Sequence, residues 1–307
     1  MIKHFELDDK MRVLLFEGAS MAELMEEIRR EWSKQNITDC SVEDKMSQCI
    51  MQMVTLKIQS ILKLCEGVPM PSYIPEPVFL DSASIVALLR CIYEEVFIFH
   101  NIFATEQGLE KTVLVDLWKI KGLNNQIFEE NDVSTDLCNG DSYLKKFDVP
   151  IEEKKKQVAD LKCEIEQLCE QLDITDDALK KIYTQTVKQK RSIKGYEFVK
   201  KDGKIVDFIL VDLAKSPEKL FGIKKLNALY RLLSTHSHPT YAGLVKFGTM
   251  YNNGGDLQLL KLAIESICIL TAIFINDFLD TVKNGNTIRE RLTFENKRKL
   301  NVYPKVK

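Results

Sequence analysis

The chain has 307 residues, of which 45% are hydrophobic and 29% are charged, as is normal for a packed globular protein. The 43 basic and 45 acidic residues give a net charge of −2, which excludes a globally basic nucleic-acid binder but not a local basic patch. None of the eight cysteines forms a Cys-x-x-Cys pair, and none of the four histidines lies close to a cysteine in the sequence. We therefore expect no metal site and no cofactor.

The N-terminal residues and the most apolar stretch of the chain predict a cytoplasmic protein with no membrane partner. The N-terminal residues 1–6 lack the apolar core of a secretory signal, so we expect reduced cysteines in the cytoplasm. The most apolar stretch, 257–282, contains charged residues throughout, which favours a buried core helix over a membrane span. Those charged residues are Lys261, Glu265, Asp277 and Asp280.

The N-terminal part, residues 1–68, is predicted to form a first group of helices. Ser20-x-x-Glu23 is a capping box that predicts a helix start at Ser20. Ser41-x-x-Asp44 is a looser form of the same signal, and an apolar face with helical spacing follows each of them. Four prolines between residues 69 and 77 then predict an extended segment that crosses to the next helix.

The main helical bundle is predicted to comprise residues 78–130 and 213–283. Its segment 82–104 is apolar nearly all round, which is typical of a central helix. Within that segment, Arg90 and Glu94 are four residues apart and can pair across one helical turn.

Residues 150–192 are interpreted as a helical hairpin that is inserted into the bundle and protrudes from it. Its part 151–182 has apolar residues at alternating three- and four-residue steps, with Lys154 and Thr175 in the two polar heptad positions. Two interpretations stay open for this seam. It either packs on the body of the same chain or serves as a dimerisation arm.

Two further segments complete the predicted fold. Residues 196–211 predict a small β-hairpin, because Asp202-Gly203 separates two β-prone arms. Residues 284–307 form a basic tail that we expect to be loosely held, as a solvated end or as a nucleic-acid arm. The predicted fold class is therefore all-α: a helical bundle with a protruding helical hairpin and this one small β-hairpin.

The most suggestive chemistry lies at the helix end 230–239. At 100° per residue, Arg231, Ser234 and His238 lie on one face, whereas His236 points about 140° away from Arg231. Because His238 precedes a proline, it should end the helix, where the helix dipole favours the charged imidazole. Such a histidine suits proton transfer near neutrality, and Arg231 suits binding of a phosphate.

A structural role would explain the same residues. A His-Pro pair at a helix end is often a cap, and a lone arginine on a core helix often pairs with a nearby carboxylate. Glu94 is a candidate partner of Arg231. A phosphate- or nucleotide-binding pocket between Arg90, Glu94 and Arg231 is a further alternative.

Two motifs resemble those of a bacterial family of helical proteins of unknown function. Arg90-x-x-x-Glu94 matches the motif of an early helix in that family, and Tyr230-x-x-x-Ser234-x-x-x-His238 matches the motif of a late one. The resemblance covers residues 80–104 and 213–280, and it implies that 131–212 is an insertion.

The spacing of Arg231 and His238 is similar to the Arg-x(4–6)-His signature of the HEPN superfamily of helical bundles, which Arg231 and His236 also satisfy. This resemblance implies a metal-independent ribonuclease of a toxin or phage-defence type that cleaves RNA. A homodimer and a cognate antitoxin would be its partners. His238 would act on the 2′-hydroxyl or the leaving oxygen, and Arg231 would stabilise the phosphorane charge.

The remaining residues of the two motifs complete the predicted site. Ser234 is assigned to the catalytic group, and Arg90, Glu94, Tyr230 and His236 are assigned to substrate binding. The chain departs from the commonest HEPN form, because Leu232 follows the arginine where that form has a polar residue. Two functions are therefore predicted: a ribonuclease, or a non-catalytic scaffold that uses 151–182 to bind itself or a partner.

Overall fold

The structure, a computed structural model, divides into two compact units by its internal contacts. The first unit comprises residues 1–104 and 213–307, and the second comprises residues 105–212. The residues that the structure describes are 7–36, 40–69, 78–105, 108–133, 150–187, 194–212, 223–237 and 254–305, with the single residues 245 and 249.

Helices dominate both units, which confirms the predicted all-α class. In chain order the helices are α1 (Asp9–Asn36), α2 (Val42–Leu64), α3 (Ser82–Ile98), α4 (Leu109–Val133), α5 (Ile151–Gln171), α6 (Asp176–Val187), α7 (Lys224–Ser237), α8 (Gly255–Thr281), α9 (Gly285–Arg291) and α10 (Phe294–Val302). A π-helix (Phe99–Phe103) continues α3, and a 3-10 turn (Tyr303–Lys305) follows α10. The strands are β1 (Val68–Pro69), β2 (Val78–Phe79), β3 (Lys194–Lys201) and β4 (Lys204–Asp212).

The starts of the first two helices show which capping signals the fold uses. The capping box predicted at the start of α2 is present. The Ser41 hydroxyl accepts a hydrogen bond from the Asp44 backbone N–H at 3.0 Å, and the Asp44 carboxylate accepts one from the Ser41 backbone N–H at 3.1 Å. The predicted start at Ser20 is wrong. The helix begins eleven residues earlier at Asp9, where the Asp8 carboxylate accepts from the Met11 backbone N–H at 2.7 Å.

The core of the first unit forms around α8, which packs on α1, α3 and the π-helix. Its ring contacts include Phe274 with Phe99, whose centroids are 4.5 Å apart, and Phe278 with Trp32 at 6.1 Å. Among the described helices, α8 is long and apolar enough to cross a membrane by length and composition alone. In the structure 78% of its most apolar window is buried inside the protein, as expected of a core helix.

The basic C-terminal segment packs on this core instead of forming a loose tail, so that prediction is wrong. Ile288 of α9, Leu300 of α10 and Leu292 between the two helices are buried. The Lys299 ammonium is buried too, and it donates to the Ser20 hydroxyl at 2.7 Å and lies 3.5 Å from the Glu17 carboxylate. The widely spaced apolar positions are hard to recognise among so many lysines and arginines, and their partners lie on distant helices.

The second unit is built from α4, α5, α6 and the β3–β4 hairpin. The contacts place α4 here, along α5, whereas the predicted division had placed 105–130 with 78–104. Three positions of the predicted seam on α5 are buried within the chain: Lys154, Val158 and Ile165. Packing is therefore the interpretation that the structure favours for them. Cys169 is buried as well, although it was not among the predicted seam positions.

The predicted β-hairpin is confirmed. Asp202 and Gly203 connect its strands with φ angles of 52° and 81°. Positive φ at both central residues is what a favoured two-residue hairpin turn requires. The hairpin packs on α6, where the Thr175 hydroxyl caps the helix by accepting from the Ala178 N–H at 3.4 Å. The Lys181 ammonium and the Asp207 carboxylate, 2.6 Å apart, join the same two elements.

Candidate functional site

Helix α7 carries the predicted site, and its orientation follows from its leucines. Leu226, Leu229 and Leu233 are buried, which directs one face of α7 toward the interior, where the helix packs along α3. Tyr230 is half-buried at the border of that face, and Arg231, one residue further, is exposed. Because successive helical residues turn by 100°, these two neighbours in sequence have different surroundings.

Three of the predicted site residues meet between α3 and α7. The Arg90 Nε donates to the Glu94 Oε1 at 3.0 Å, and the Tyr230 hydroxyl donates to the same oxygen at 3.2 Å. The Arg90 guanidinium also lies over the Tyr230 ring, 5.7 Å from its centroid, and the Tyr93 ring packs 5.2 Å from the Tyr230 ring. We call Arg90, Glu94 and Tyr230 the α3–α7 cluster.

The electrostatics of the α3–α7 cluster keep Arg90 charged and Tyr230 protonated. Burial lowers the pKa of the Arg90 guanidinium, but the hydrogen bond and charge of Glu94 outweigh that effect, so the pKa is raised overall. Burial also raises the pKa of the Tyr230 hydroxyl, and the Glu94 carboxylate adds to this rise. Tyr230 therefore stays protonated and able to donate at neutral pH.

Arg231 does not join the α3–α7 cluster. Its predicted partner, Glu94, is bound by Arg90 and Tyr230, and the exposed Arg231 guanidinium forms no ion pair with the residues that the structure describes. Ser234, three residues along α7, is half-buried. The Arg90–Glu94–Arg231 pocket considered from the sequence stays a prediction.

Neither of the two predicted histidines has a described side chain. His238 lies outside the described residues, and so does the side chain of His236, although its backbone belongs to α7. The described α7 ends at Ser237, the residue that precedes His238 in the sequence. The predicted convergence of Arg231, Ser234 and His238 on one face stays a prediction.

Two side-chain pairs in the first unit were not predicted from the sequence. The Lys57 ammonium lies 2.6 Å from the Glu95 carboxylate, and the His100 Nδ1 lies 2.7 Å from an oxygen of Asp277. Burial raises the pKa of Asp277, with His100 acting in the opposite direction. His100 lies in the π-helix, a local widening often found at functional sites. Each pair joins residues far apart in the chain, which no local spacing could have indicated.

The possible metal ligands and the buried cysteines of the described part of the chain bear on metal and thiol chemistry. No group of three or more His, Cys, Asp or Glu side chains there could hold a metal ion. Burial raises the pKa of the Cys65 and Cys268 thiols to about 12 and that of Cys169 to about 11. These three thiols therefore stay protonated and behave as small apolar groups.

Comparisons of the chain with protein-family models, with curated proteins and with solved structures gave no match. The resemblances noted in the sequence accordingly stay predictions.

Proposed function

We propose that this protein is a HEPN-like, metal-independent ribonuclease whose active site lies on the exposed face of α7. Arg231 would bind the scissile phosphate, and His238 would transfer the proton. The observation that carries the proposal is the state of Arg231, whose guanidinium is exposed and forms no ion pair with the described residues. An exposed guanidinium that no described carboxylate binds is available to a phosphate.

The α3–α7 cluster supports this role by holding α7 in one rotation. The buried leucines set the inner face of the helix, and the Tyr230–Glu94 hydrogen bond anchors its edge. Arg231 is then turned about 100° away from Tyr230, toward solvent, with Ser234 three residues further on. In this arrangement Arg90, Glu94 and Tyr230 act as positioning residues rather than as direct ligands of the substrate.

The chemistry needs one proton-transfer group and one cation. A base removes the proton from a ribose 2′-hydroxyl, and the 2′-oxygen attacks the adjacent phosphorus. The bond to the 5′-oxygen then breaks, and that oxygen takes up a proton. His238 would carry the proton, and the Arg231 charge would stabilise the phosphorane as negative charge grows on its oxygens. The expected products are a 2′,3′-cyclic phosphate and a 5′-hydroxyl. A second copy of the chain and a neutralising antitoxin would be its partners in the cytoplasm.

The alternative is a non-catalytic scaffold that associates through residues 151–182. Burial of Val158 and Ile165 inside the second unit weighs against that surface, because these apolar seam positions are already covered in a single chain. The ribonuclease proposal is therefore preferred.

The test is cleavage of a labelled single-stranded RNA by the full chain in the presence of EDTA. His238→Ala should lower the rate by about 10²- to 10⁴-fold, the usual contribution of acid–base catalysis. Arg231→Ala should lower it by a similar factor, because the phosphorane charge loses its cation.

The matched control is Arg30→Ala, which removes another exposed arginine, 63% accessible, from the surface of α1. That variant should cleave as the wild type does. Equal activity of wild type and His238→Ala, or no cleavage by the wild type, would contradict the proposal.

A further inference from the structure

Helix α10 exposes an aromatic ring to solvent. Phe294, its first residue, is 84% accessible. The start of the helix does not depend on this ring, because the Thr293 hydroxyl accepts from the Asn296 backbone N–H at 3.2 Å and caps the helix. A single exposed apolar ring is common on protein surfaces, so the role of Phe294 depends on the side chains that surround it.

Basic and polar side chains share the outer face of α10 with this ring. At 100° per residue, Arg298 lies about 40° from Phe294 and Asn301 about 20° from it on the other side. Both are exposed, whereas Lys299 and Leu300, on the opposite face, are buried against the first unit. The ring, the guanidinium and the amide therefore form one exposed row along the helix.

The surrounding charge is strongly positive although the chain as a whole is not. Residues 285–305 contain six basic and two acidic residues, a net charge of +4, against −2 for the whole protein. Arg289 and Lys299 are paired with carboxylates. Two other exposed basic residues of this segment, Arg298 and Lys305, form no ion pair with the described part of the chain. Arg291 lies near Glu31, and its charge helps to lower the pKa of that carboxyl group.

We propose that α10 and the turn that follows it form a second RNA-binding surface, the α10 surface, apart from the α7 site, which takes single-stranded RNA. Phe294 would stack on an unpaired base, and Arg298 and Lys305 would bind neighbouring phosphates. An exposed aromatic among cations is the combination that binds single strands, since every base has a face to stack and every nucleotide a negative charge. The choice of RNA rests on the proposed ribonuclease function.

The test is fluorescence anisotropy of the full chain with a labelled 2′-O-methyl oligonucleotide of about twelve nucleotides, a length within the range that such surfaces bind. The methylated 2′-oxygens cannot attack phosphorus, so binding is measured without cleavage. Phe294→Ala should weaken binding by about 10-fold through lost stacking. Arg298→Glu should weaken it further and reduce the slope of log affinity against log salt by about 1 or more.

Two controls on α2 match these changes. Leu56→Ala removes another exposed apolar side chain, 63% accessible, and Lys63→Glu makes the same charge reversal at a residue that is 76% accessible. Both should leave the affinity and the salt slope near the wild-type values. The inference is overturned if the control variants weaken binding as much as the α10 variants do. It is also overturned if the α10 variants lose binding to phosphatidylserine vesicles while their RNA affinity is unchanged.

The two proposals can fail separately. If the wild type cleaves no RNA but Phe294→Ala and Arg298→Glu still weaken binding, the α10 surface stands and the ribonuclease proposal fails. If cleavage depends on His238 while binding is indifferent to both α10 substitutions, the ribonuclease proposal stands and the α10 surface is rejected.

Discussion

The α3–α7 cluster and the α5 seam both place charged side chains at helix–helix contacts, but they stabilise those contacts differently. In the cluster, the Glu94 carboxylate receives hydrogen bonds from Arg90 and Tyr230, and all three remain half-exposed. In the seam, Ile165 is 1% accessible, and the Lys154 side chain is buried as well. The hydrogen bonds of the cluster therefore determine which side chains of α3 and α7 meet. The seam instead contributes to stability mainly through buried apolar area.

Truncation in the seam should have the largest effect on stability. Ile165→Ala should lower the free energy of unfolding by about 2–5 kcal/mol, because it removes buried methyl groups and leaves a cavity. Urea unfolding measures this change. The neighbouring Glu164→Ala, at an exposed position of the same helix, should stay within about 0.5 kcal/mol of the wild type. A change in molar mass by light scattering in Ile165→Ala alone would instead indicate that the seam joins two chains.

Removal of the Glu94 carboxylate, the acceptor that Arg90 and Tyr230 share, should have the next largest effect on stability. Glu94→Ala should lower the free energy of unfolding by about 1–3 kcal/mol, because the Arg90 and Tyr230 donors lose their acceptor in a partly buried place. The double variant Arg90→Met with Glu94→Ala should recover part of the loss, since no charge is then left unpaired. Additive losses in that double-mutant cycle would show that Arg90 and Glu94 do not act as a pair.

A smaller effect should distinguish the two neighbours on α7. Tyr230→Phe keeps the ring beside Arg90 but removes the hydrogen bond to Glu94, so we expect a loss of about 0.5–1.5 kcal/mol. Arg231→Ala, on the exposed side, should stay within about 0.5 kcal/mol of the wild type in thermal unfolding. A large loss in Arg231→Ala would mean that the guanidinium has a structural partner, which would remove the support for its phosphate role.

The His100–Asp277 pair should produce the smallest effect, visible as a dependence on pH. Because the pKa of Asp277 is raised in the folded state, its contribution to stability is complete below the ordinary carboxyl pKa of 3.8 and is lost as the pH rises through the raised value. Asp277→Asn cannot titrate and should lack this loss. The melting temperature of the wild type relative to the variant should therefore fall as the pH is raised from 3 upward. A constant difference between the two would contradict the assignment.

Several features of the fold could be predicted because they depend on residues close together in the chain. Asp202-Gly203 predicted the hairpin, since few residues other than glycine adopt the positive φ angles of its turn readily. The four-residue spacing of Arg90 and Glu94 predicted their ion pair, which one helical turn brings together. Local signals can still mislead, as at Ser20, where a capping motif lies inside a longer helix.

The partners across the fold could not be predicted, because they depend on which helices pack together. Helical spacing placed Tyr230 and Arg231 on the same helix, but only the packing of α7 on α3 decided that Tyr230 binds Glu94 and that Arg231 faces solvent. The burial of Lys299 against Glu17 likewise depends on residues 282 positions apart. The sequence by itself determined the helices, the hairpin and the polar motifs, since local backbone and side-chain preferences decide these. Tertiary structure alone decided which polar groups are paired and which remain exposed, since charge pairing depends on distances that no local pattern contains.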